Sequence, residues 1–75
     1  MNGVMNILIF KTNIRLKKDL GVISPLLSTD ESIVQWNVDR DDTDKILRIV
    51  STANDPVGII KTINEAGYYC EELPD

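Results

Sequence analysis

Within 75 residues the spacing of apolar positions switches repeatedly between the period of a strand and that of a helix. The order of those switches limits the fold more than any single residue does. Met5 to Lys11 (MNILIFK) is a short apolar run with β-branched residues, which predicts a buried strand. Leu16, Leu20, Ile23 and Leu27 then recur at intervals of four, three and four, one face of a helix. Thr12-Asn13 precedes it as a turn, and Asn13 is the expected N-cap. Pro25 falls inside this pattern, where its ring would crowd the Gly21 carbonyl and kink the helix or end it early. After Ser28-Thr29-Asp30, the run Ile33 to Val38 places Val34, Trp36 and Val38 on one side and Gln35 and Asn37 on the other.

Asp39 to Asp44 is polar and turn-forming, and Lys45 to Ser51 follows as another strand, so a hairpin is expected. In Asn54-Asp55-Pro56, Asp55 suits the cap and Pro56 the first turn of a second helix. Val57, Ile59, Ile60 and Ile63 supply its apolar face, and Gly67 ends it as a left-handed C-cap. Tyr68 to Leu73 forms the last strand and Pro74-Asp75 stops it. Both helices are entered from a strand through Thr and Asn, a weak internal echo between Ile9–Asn13 and Ile49–Asn54. The order βαββαβ predicts one α+β domain over residues 1–75, ferredoxin-like, with a four-stranded antiparallel sheet and two helices on one face. That topology gathers Thr12, Asn13, Asp41, Asp42 and Tyr68 at one end of the sheet, where an interaction site is to be sought.

Composition narrows the function classes. A chain of this length buries only about 60% of the surface its unfolded form exposes, so the core must be simple. The net charge of -4 and the scattered Lys and Arg residues argue against nucleic acid. No apolar run approaches the roughly 18 residues of a membrane span, and the N-terminus has neither a basic leader segment nor a cleavage site. One cysteine, Cys70, fits a reducing compartment, and a cytoplasmic location is expected. There is no histidine, hence no Ser-His or Cys-His pair and no imidazole proton shuttle. The four glycines form no phosphate cradle, so neither an enzyme nor a cofactor is expected.

The stretch Ile63-Asn64-Glu65-Ala66-Gly67-Tyr68 resembles the I-x-x-A-G-Y signature that ends the second helix of heavy-metal-associated domains, the small copper chaperones and transporter modules. The segment from Val38-Asp39 to Ile49-Val50 is similar to that family in length and pattern. The resemblance implies a βαββαβ domain holding a soft metal through a Cys-x-x-Cys pair at the start of its first helix. Here the corresponding positions are Leu16 and Asp19, and no cysteine occurs before Cys70. Thr12, Asn13 and Asp19 offer hard oxygen donors, which do not replace thiolates for a soft ion. The expectation is a domain of this kind that has lost its metal site, with no metal ligands.

Other residues admit two readings each. Cys70 reads as a small core residue, since nothing basic lowers its pKa; Met1 and Met5 read as a start and a core methionine. Asp39, Asp41 and Thr43 have the alternate spacing of a calcium loop, but Asp44 and Val50 stand where that loop needs Gly and Glu. The first strand is apolar on both faces, Ile7 and Ile9 opposite Leu8 and Phe10. The third adds Ile46 and Val50 opposite Leu47 and Ile49. In a two-layer domain one of those faces has no helix over it, so Ile7, Ile9, Ile46 and Val50 form a candidate interface for a protein partner or a homodimer. The alternative is a modest patch screened by the stems of Lys11 and Arg48. Two further readings remain: an unconventional copper or zinc carrier using Cys70, Met or carboxylates, and a small-ligand module of the ACT type, which Asp55-Pro56-Val57-Gly58 resembles.

Overall fold

The structure is a computed structural model and describes residues 5–74. The readings of Met1, of Gly3, of the first residues as a non-leader and of Asp75 as a stop lie outside it. The elements run β1 (Asn6–Thr12), α1 (Lys17–Ser28), β2 (Ile33–Asp39), β3 (Ile46–Ser51), α2 (Pro56–Glu65) and β4 (Cys70–Leu73). The strands form one antiparallel sheet in the order β2-β3-β1-β4. This is the expected α+β ferredoxin-like arrangement.

Alternation along β1 and β3 assigns the two sheet faces. Leu8, Phe10, Leu47 and Ile49 are buried and join Ile23 and Leu27 of α1 and Ile59 and Ile63 of α2 in one core. Both helices therefore cover the same face. Ile14, in the β1–α1 connection, is also fully buried, although it lies outside any periodic pattern.

Several sequence expectations need correction, and Met5, read as a core methionine, is 52% exposed. Asn13 is not the N-cap of α1; the helix begins at Lys17 with Leu16 at the cap position. Leu16 has no side-chain acceptor, and the Asp19 carboxylate supplies the stabilising bond by accepting from the Leu16 amide at 2.9 Å. Pro25 does not end α1, which continues to Ser28, and the Thr29 amide closes the last turn by donating to the Pro25 carbonyl at 3.2 Å. Val34 does not join Trp36 and Val38. A register shift between Ile33 and Gln35 turns Val34 out to 56% exposure and lets Ile33 pack against the core instead. Val57 is 73% exposed, because the buried line of α2 runs through Ile59 and Ile63 at a spacing of four.

The helix ends behave as their residues dictate. The Asp55 carboxylate accepts from the Gly58 amide at 3.0 Å, and Pro56 occupies the first turn of α2. At the other end Gly67 has φ +97. The Tyr68 amide donates to the Ile63 carbonyl at 3.1 Å and the Gly67 amide to Asn64 at 2.9 Å. This is a Schellman cap, which requires a left-handed residue at the position of Gly67. The cap takes up Tyr68, so β4 starts at Cys70 and not at Tyr68.

Candidate functional site

Two surfaces on this frame carry the candidate residues. The first is the end of the sheet where the β1–α1 connection, the β2–β3 hairpin and the α2–β4 junction meet. Thr12 is buried there: its Oγ1 donates to the Lys45 carbonyl at 2.6 Å and accepts from the Ile14 amide at 3.1 Å. Ser51 at the end of β3 makes the matching turn, its Oγ accepting from the Ala53 amide at 3.0 Å. The internal echo is thus real in geometry, but it pairs Thr12 with Ser51. Asn13 Oδ1 accepts from the Tyr69 amide at 2.9 Å, joining the start of the α1 connection to the start of β4.

Asp19 and Tyr68 complete that end, the Tyr68 hydroxyl donating to Asp19 Oδ1 at 2.8 Å. The Leu16 amide and then this hydroxyl hold the Asp19 carboxyl below the usual carboxylate range. The same bond and partial desolvation raise the Tyr68 phenol. Asp41 and Asp42 reach the end only through the hairpin. The Asp41 amide donates to Asp39 Oδ1 at 3.2 Å and the Asp44 amide to Asp42 Oδ1 at 2.7 Å. Lys45, held at φ 47, donates from Nζ to the Arg40 carbonyl at 2.8 Å. The Asp39 and Asp42 carboxylates are therefore engaged in shaping their own turn, while Asp44 Oδ1 lies 3.6 Å from Lys11 Nζ of β1.

That arrangement does not suit the metal the resemblance implies. Leu16 is aliphatic, and the Asp19 oxygens already accept from two amides and a phenol. Cys70, the first residue of β4, is buried in the core, and burial pushes its thiol up to about 11, away from the thiolate a soft ion needs. Among the described residues no group of three Cys, Asp or Glu side chains is placed to hold an ion.

The second surface is the sheet face opposite the helices. Register places Ile7 beside Val50 and Ile9 between Arg48 and Leu73. Gln35, Asn37 and Asp39 extend the face along β2, next to Val50, Arg48 and Ile46. Ile7 is 51% exposed and Met5, beside it in sequence, 52%, while Ile9, Ile46, Val50 and Leu73 are half-buried by their neighbours. Among the described residues no element lies over this face. The structure brings Ile7, Ile9, Ile46 and Val50 onto one face, and adds Leu73, which sequence reasoning missed. Leu73 joins this face through the β1–β4 register, which sets it beside Ile9 and which alternation within β4 alone does not fix.

Comparison of the chain with models of protein families, with curated proteins and with solved structures finds no match in any of the three. Among the described residues no helix is long and apolar enough to cross a membrane.

Proposed function

We propose that this domain is a non-catalytic interaction module and that the open sheet face is the surface through which it binds protein. The observation carrying this reading is the apolar row Ile7–Val50 and Ile9–Leu73 on the face away from the helices, with Ile7 half exposed. Apolar side chains aligned by strand register leave water together when a partner arrives, and burying the exposed part of Ile7 alone contributes roughly 1 kcal/mol. The end of the sheet near Thr12 is a weaker candidate, because Thr12, Asn13, Asp19 and Tyr68 use their polar groups to hold the connections there together.

The resemblance to heavy-metal-associated domains enters this reading as one of architecture. Its signature, Ile63 to Tyr68, coincides with the Schellman cap of α2, which helix termination alone explains. On this reading the chain is a domain of that kind without a metal site, acting inside the cell through protein contacts.

The test replaces Ile7 with a photo-crosslinking amino acid in the cells that make the protein, with Lys61 on the exposed side of α2 as control. The reading predicts a discrete crosslinked product from position 7 and none from position 61. No product from position 7, or the same products from both, would sink it.

A further inference from the structure

We infer that a second copy of this chain adds its own β2 to the outer edge of β2, antiparallel and across a two-fold axis through Trp36. The edge is a different surface from the open face, so the inference does not rest on the binding surface proposed above. Among the described residues both edge strands, β2 and β4, pair on one side only. The row of backbone donors and acceptors on the other side is satisfied by water or by another extended backbone, so the class of partner that fits is a strand. The two edges are not alike. β4 has four residues, carries Glu71 and Glu72 in its middle and is followed by Pro74, which has no N–H to donate. An antiparallel copy centred on either glutamate sets Glu against Glu. β2 has seven residues with no proline and no lysine, and its one charged residue, Asp39, is the last of them.

The sequence of β2 selects which strand pairs with it. Val34-Gln35-Trp36-Asn37-Val38 reads alike in both directions by side-chain type: valine, amide, tryptophan, amide, valine. Centred on Trp36, an antiparallel copy sets Trp36 beside Trp36, Gln35 beside Asn37 and Val34 beside Val38 of its partner, so like meets like along the strand. Trp36 is half-buried beside Ile49 on the helix side, whereas Gln35 and Asn37 are exposed beside Val50 and Arg48 on the other, so the pairs keep to their own faces. The two Asp39 carboxylates fall opposite Ile33 and stand about 20 Å apart, beyond the screening length at physiological salt. Val34, turned out to 56% exposure by the register shift, is covered by Val38 of the partner. That shift also twists the edge at its start, which confines the pairing to Val34–Val38 and keeps the contact reversible. The axis is perpendicular to the sheet, so the pair forms one continuous sheet with all helices on the same side and the two open faces joined.

Sedimentation equilibrium of the whole chain from micromolar to millimolar concentration tests this, together with isotope-filtered NMR of mixed labelled and unlabelled protein. The weight-average mass should rise from 8.4 kDa toward 16.8 kDa (2 × 8.4), with intermolecular contacts between Gln35 and Asn37 and between the two copies of Trp36. A charge swap reads the register. Gln35→Lys with Asn37→Lys sets like charges opposite each other twice in every dimer. It should raise Kd about fivefold with an unchanged circular dichroism spectrum, because both sites are exposed. Gln35→Lys with Asn37→Glu sets opposite charges there and should return Kd to the parent value or below it. A mass fixed at 8.4 kDa at millimolar concentration overturns the inference. So do equal Kd values for the two double variants, or intermolecular contacts confined to the helices, to Ile7 and Ile9 or to β4.

Discussion

The two glycines Gly21 and Gly67 offer a paired perturbation in which one chemical change should have opposite effects. Gly21 lies in the exposed interior of α1, and an added Cβ meets no atom within 4 Å. Replacing it with alanine removes only the entropic penalty of glycine in a helix, so Gly21→Ala should stabilise the domain by about 0.5–1 kcal/mol. Gly67 also has open space around it, but its φ of +97 is one that L side chains rarely adopt. Forcing alanine there costs about 1–2 kcal/mol, only partly offset by a stiffer unfolded chain, so Gly67→Ala should destabilise by roughly 1 kcal/mol. In a domain of this size each kcal/mol moves Tm by about 4–8 °C, so the variants should melt on opposite sides of the parent, roughly 10 °C apart. Thermal and urea unfolding followed by circular dichroism read this directly. If both variants gain stability, or Gly67→Ala matches the parent within a few tenths of a kcal/mol, the Schellman account of the Ile63–Tyr68 signature is refuted.

Other expectations follow from the same geometry. The Asp19 carboxyl is held below its usual value, so its bonds contribute stability above the unfolded pKa, and that contribution disappears as pH falls through the lower folded value. Tyr68 is raised, so its contribution is present below its usual value of 10.0 and is lost in stronger alkali. Cys70 is raised from 9.0 in the same sense, so stability should be flat only from the Asp19 limit up to about pH 9, and Tyr68→Phe should return the Asp19 carboxyl toward its ordinary pKa in a carbon-13 titration. Cys70, raised from 9.0 to about 11, carries a thiolate fraction about 100-fold below that of a free thiol. Its labelling by a disulfide reagent near neutral pH should slow by at least that factor relative to the protein in urea, and equal rates would contradict its burial. An anaerobic titration with Cu(I) or Zn(II) should leave no stoichiometric metal after desalting, and should not move the amides of Thr12 to Asp19 together with those of Gly67 to Cys70. One equivalent retained, with those amides moving, would return the metal-carrier reading.

Much of the fold was legible because period, punctuation and caps agreed. The strand alternation of β1 and β3, Asp55-Pro56 before α2 and Gly67 after it each encode a local backbone state that the tertiary structure keeps. The misses arose where one residue's partner lay far along the chain. Asn13 has the right chemistry for an N-cap, yet the Tyr69 amide takes its oxygen, and Asp19 stabilises the helix start from inside the first turn. Val34 fits an alternating pattern that a single register shift undoes, and nothing in the local sequence marks that shift. The open face was visible as strands apolar on both sides. Its full membership, with Leu73 beside Ile9, depended on the β1–β4 register, which only the folded sheet fixes.

One sheet face is sealed by both helices, while among the described residues no element covers the other. Relaxation of methyl protons by a soluble gadolinium chelate measures both faces in one experiment. At low protein concentration strong relaxation is expected at Ile7 and Val50 and little at Leu47 and Ile49. Val57, 73% exposed on α2, should be relaxed as strongly as Ile7. Equal protection of Ile7 and Val50 with Leu47 and Ile49 would show that the face away from the helices is covered too.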